Sequence, residues 1–81
     1  MITPREVRAA RAMLGWSRQK LADKAILSLN AIIRFEEEVV TPRATTERSI
    51  RRALEKSGIE FLSQVESSEG VRMRRRKQKG R

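Results

Sequence analysis

The sequence predicts an all-α protein, a bundle of four to five short helices with room for a short C-terminal β-hairpin. Three observations predict it. Apolar residues recur at intervals of three and four in successive short segments, the spacing that lines one face of a helix. Serine or threonine stands where each segment can be capped. Glycine and proline fall at segment ends, where they punctuate helices without breaking them.

The first helix spans about residues 4–14. Thr3 caps it, Pro4 suits its first position, and Glu6 completes a capping box. Val7, Ala10 and Leu14 follow on one face, and Gly15 ends it. Ser17 caps a second, short helix running to about Lys24, with Leu21, Ala22 and Ala25 inward. Ser28 caps a third over about 28–36, whose apolar stripe is Leu29, Ile32, Ile33 and Phe35. Two short helices joined by a turn of three or four residues form a helix-turn-helix. Residues 39–43 read as a loop, because Pro42 disfavours helix in the residue before it. Thr45 or Thr46 caps a fourth helix with Ile50, Ala53 and Leu54 inward, and Ser57-Gly58 closes it. Beyond it, residues 59–64 and 70–74 are expected to pair as a hairpin. Residues 75–81 are expected to be a disordered basic tail.

An 81-residue chain has room for one domain, with a core near the lower limit of independent stability. With no histidine and no cysteine, zinc-type ligand sets, Ser-His-Asp and Cys-His nucleophiles and disulfides are all excluded. No enzymatic constellation is present and no cofactor is expected. No stretch approaches membrane-spanning length, so a cytoplasmic protein without membrane association is expected. The net charge of +9 is concentrated at one end: residues 72–81 hold seven basic groups and no acid, which leaves +2 on residues 1–71. That imbalance points to a polyanion partner, although a basic tail can also simply solubilise.

Taken in order, Arg11, Leu14, Gly15-Trp16-Ser17, Leu21-Ala22, Ser28, Ile32, Phe35-Glu36 and Thr41-Pro42 resemble the lambda-repressor-like, or XRE-type, helix-turn-helix family across residues 4–57. Ile59-Glu60-Phe61 and Gly70-Val71-Arg72 resemble the C-terminal extension of its short members. Three positions depart from the family pattern. Ile26 stands where the turn usually has glycine, which implies either backbone strain or a different turn. Arg18 replaces a common glutamine, and Glu38 with Val39-Val40 replaces glycine and basic residues.

The resemblance implies a sequence-specific transcriptional regulator that binds double-stranded DNA as a homodimer. Residues 1–58 would be the DNA-binding domain and residues 59–74 an extension; the fourth helix, the loop after it and the strand over 59–62 are the candidate dimer surface, since exposed strand edges pair readily. The second helix of the motif would enter the major groove, with Leu29, Asn30, Ile33 and Arg34 turned away from Ile32 and Phe35 toward base edges. On a slightly rotated helix, Leu29 and Ile33 would instead be core. Arg18 and Lys20 put cations in a helix's first turn, against its dipole, which a nearby phosphate would explain; solvated charge is the alternative. The resemblance adds Ser17, Ser28, Thr41 and Arg43 to the phosphate contacts; Thr45 either joins them or is an ordinary exposed loop residue. It also implies that Arg11 and Glu36 form a partly buried structural pair. Trp16 reads as core, since a lone ring makes a poor stacking platform. An antitoxin-like module that holds a protein partner and also represses its own operon stays open as the alternative.

Overall fold

The computed structural model describes residues 1–37, 42–64 and 68–74. It contains α1 (Pro4–Leu14), α2 (Arg18–Ala25), α3 (Leu29–Glu36) and α4 (Ala44–Lys56), followed by β1 (Ile59–Phe61), a 3-10 turn (Leu62–Gln64) and β2 (Val71–Met73). The described residues are mostly helical, and β1 and β2 form the short C-terminal antiparallel pair for which the sequence left room, with Ile59 opposite Met73 and Phe61 opposite Val71.

The first three helices begin where their capping residues place them. Thr3 accepts from the Glu6 N–H, and the Glu6 carboxylate accepts from the Thr3 N–H in return. Ser17 accepts from the Lys20 N–H at 3.0 Å and Ser28 from the Ala31 N–H at 3.1 Å. Each cap satisfies one of the donors a helix start leaves unpaired. Gly15 ends α1 in the left-handed conformation, with φ of 69°.

α4 starts earlier than the sequence suggests. Arg43 holds the cap position without a side-chain bond, and Thr45 and Thr46 lie inside the first turn. The helix gains the Glu47 N–H to Arg43 carbonyl bond instead, and the Glu47 carboxylate accepts from the Ile2 N–H at 2.8 Å. The hairpin is also shorter than 59–64 with 70–74. The Leu62 N–H donates to the Gly70 carbonyl at 2.8 Å, after which the chain turns so that Ser63 reaches Glu6.

α2 packs against both α3 and α4, while α4 also rests on β1. Their apolar faces meet in one core that includes Val7, Ala10, Leu21, Ala22, Ile32, Phe35, Ile50, Leu54, Ile59 and Phe61. Ile2, which helical spacing does not pick out, is buried there as well. Leu14 and Trp16 pack on its rim.

The turn between α2 and α3 keeps the left-handed conformation even without glycine. Ile26 ends α2 at φ 57° and ψ 50°, and it is the one non-glycine residue with positive φ among those described. Its side chain is 89% exposed, so little packing offsets the strain of a β-branched residue in this region. Left-handed backbone costs an ordinary residue about 1–2 kcal/mol, and asparagine tolerates it better. Ile26→Asn is therefore expected to stabilise the fold by about 1 kcal/mol, raising the melting temperature by about 4–8 °C for a domain of this size. Thermal denaturation of the two proteins measures this directly, and an unchanged or lower midpoint counts against strain at Ile26.

Candidate functional site

The candidate site is the outward surface of α3, and the exposed groups at the N-terminal turns of α2 and α4 are considered with it. α3 is amphipathic: Ile32, Phe35 and Glu36 are buried, while Leu29, Asn30 and Arg34 are exposed. Ile33 is half-buried, as expected of a residue at the edge of the apolar face. Leu29, at 38% exposed, is more open than a core leucine would be. Ser17, Lys20 and Ser28 are exposed as well, each at or next to a helix start. Arg43 is exposed at the start of α4, where first-turn N–H groups have no side-chain acceptor from the cap residue. Thr41 lies outside the described residues, and Thr45 is exposed in the first turn of α4.

Beneath this surface lies a charged cluster centred on Glu36, which is 1% exposed. The Arg11 guanidinium grips its carboxylate through two bonds, Nε to Oε2 at 2.6 Å and Nη2 to Oε1 at 2.8 Å. Arg11 Nη1 also donates to the Trp16 carbonyl at 3.1 Å. The pairing with Glu36 outweighs burial and raises the Arg11 pKa further above its ordinary value. Arg8 donates to the Glu36 backbone carbonyl. α1 is thus tied to the end of α3 by two of its arginines. Single ion pairs on a surface contribute little, but a buried carboxylate with several donors cannot lose one cheaply.

Arg18 has a different environment from the one its position in the first turn suggests. Its Nε donates to Glu36 Oε1 at 3.1 Å, and its Nη1 lies 3.5 Å from Glu37 Oε2. A basic residue at the start of α2 is thereby explained inside the protein, by two carboxylates at the end of α3. Its side chain is about two-thirds covered. No phosphate is needed to account for it.

The chain matches no protein-family model and no curated sequence. What distinguishes the α3 surface is therefore the chemistry of its own side chains. Lys20, Arg34 and Arg43 have no ion-pair partner among the described residues, unlike Arg11, Arg18 and Arg51. The Asn30 amide likewise makes no hydrogen bond among them. Two features escaped sequence reasoning. Arg8 precedes Arg11 by one turn on the same face, a spacing that could have suggested joint action on one acid. Glu6 carries a second set of bonds, to Ser63 and Gly70, that no local pattern announces. Among the described residues no helix is long and apolar enough to cross a membrane.

Proposed function

We propose that the protein is a sequence-specific DNA-binding regulator of transcription, with α2 and α3 acting as a helix-turn-helix and α3 lying in the major groove. One observation carries the reading: α3 holds Leu29, Asn30 and Arg34 in water with no polar partner among the described residues, while its opposite face is fully used. An amide at the start of a groove helix matches the adenine edge, a guanidinium matches guanine, and leucine can meet a thymine methyl group. Ser17, Lys20, Ser28 and Arg43 are exposed and offer hydroxyl, cationic and uncapped N–H groups suited to phosphate. Arg18 leaves this set, since Glu36 and Glu37 already engage it.

A single domain this small covers one half-site, so binding as a homodimer to a two-fold operator belongs to the proposal. Two copies would place their α3 helices in successive major grooves, roughly 34 Å apart. Selection of bound sites from random duplexes tests this, and a palindrome with that spacing is the expected result. Failure to enrich any sequence overturns it. On the selected site, Asn30→Ala and Arg34→Ala are each expected to weaken binding by about 1–3 kcal/mol, with a smaller loss on scrambled duplex. Equal losses on both duplexes would assign these side chains to phosphate instead.

A further inference from the structure

α4 presents a second charged surface, distinct from α3. Its inner face is Ile50, Ala53 and Leu54. Its outer face exposes Arg48, Arg52 and Lys56, each four residues from the next and thus about 6 Å apart along the helix axis. None of the three has an ion-pair partner among the described residues. Glu55, beside them, is engaged by Arg51 at 3.7 Å. β2 ends against the same ridge: Arg74 Nη2 donates to the Glu55 carbonyl at 3.2 Å, and Arg52, Glu55, Lys56 and Arg74 line one surface depression. The described chain ends at Arg74, and the sequence beyond it adds five more basic groups and no acid.

The fold gains little from this arrangement. Like charges four residues apart repel along a helix. Lys56 complements the negative end of the α4 dipole, but Arg48 and Arg52 lie too far from that end to do so. A row of cations is suited to a linear polyanion. An acidic protein partner fits less well, because protein interfaces are anchored by aromatic or apolar side chains at their centre. The ridge positions are basic, and no aromatic side chain is exposed among the described residues.

We infer that the α4 ridge, Arg48, Arg52, Lys56 and the adjoining Arg74, is a binding surface for the sugar–phosphate backbone of nucleic acid. Affinity from such a surface is electrostatic, independent of base sequence and strongly dependent on salt. It does not rest on the reading of α3 as a base-contacting helix.

The test uses the full chain carrying Arg48→Gln, Arg52→Gln and Lys56→Gln together, with binding to a fluorescent scrambled duplex measured over a salt series. Each phosphate left without its cation takes about 0.9 from the slope of log K against log salt, so the slope is expected to flatten by about 2–3. Arg52→Gln alone is expected to flatten it by about 1, which covers the case of a triple variant that does not fold. The charge-keeping Arg48→Lys/Arg52→Lys variant is expected to retain the slope. An unchanged slope in folded glutamine variants overturns the inference. So does displacement of the duplex by polyglutamate as readily as by unlabelled duplex of equal charge, which would point to an acidic protein. Failure of the α3 reading looks different: site selection enriches nothing, while the salt slope and its response to the ridge variants persist.

Discussion

Glu36→Ala is expected to destabilise the fold by about 3–5 kcal/mol, a large share of the stability of a domain this size. The carboxylate is buried and accepts from Arg11 twice and from Arg18 once. Its removal strands the Arg11 guanidinium, only 18% exposed, without its counter-charge. It also frees Arg18 and loosens the join between α1, the start of α2 and the end of α3. Chemical denaturation of the variant measures the destabilisation. Glu36→Gln should fall between the two, because an amide keeps one acceptor but cannot receive a bidentate guanidinium. A melting midpoint unchanged by Glu36→Ala, together with abolished nucleic-acid binding, would show that Glu36 acts in recognition and not in the fold.

Glu6→Ala is expected to cost about 3 kcal/mol or more, through a different part of the molecule. The Glu6 carboxylate is 1% exposed and accepts from the Thr3 N–H at 3.0 Å, the Ser63 hydroxyl at 2.8 Å, the Ser63 N–H at 3.2 Å and the Gly70 N–H at 2.9 Å. It is the pin that holds both ends of the β1–β2 connection to the start of α1. Truncation leaves those donors without an acceptor, so the C-terminal hairpin should loosen first. Amide exchange at Ser63 and Gly70 reports that order of events.

The same residue sets a pH dependence. Burial pushes its pKa up, but the bonds from Gly70, Ser63 and Thr3 together outweigh burial and hold it below the ordinary glutamate value. A folded-state pKa below the unfolded one gives stability that is complete above the unfolded value, about 4.3, and lost as pH falls through the folded value. Glu6→Gln should therefore be less stable at neutral pH and should lose less further stability on acidification than the parent chain. Parallel stability profiles between pH 6 and pH 3 for the two proteins would remove Glu6 from that role.

The helical segments were legible because their causes are short-range. Thr3, Ser17 and Ser28 each bond a backbone N–H three residues away, and the apolar faces of α1, α2 and α3 follow from spacing alone. The separation of Leu29, Asn30 and Arg34 from Ile32 and Phe35 has the same origin, so the exposed face of α3 could be read from the residues themselves. α4 shows where such reasoning runs short. Two threonines offered a cap, but the helix starts two or three residues earlier, at Ala44, with the Glu47 N–H bonded to the Arg43 carbonyl and the Glu47 carboxylate tied to the Ile2 N–H.

By itself, the sequence determined four amphipathic helices, the caps of the first three and the stop at Gly15, and it pointed to the Arg11–Glu36 pairing. Only the tertiary structure decided what the long-range polar groups do. It turned Arg18 from the solvent to Glu36, 18 residues away, and gave Glu6 a second task at Gly70, 64 residues away. It also resolved the choice at Ile26 in favour of a strained left-handed turn. The physical reason is one of range. Backbone caps and helical periodicity are satisfied within a turn or two of the chain, but a buried charge needs several donors at once, and those are brought together only when the apolar faces have packed.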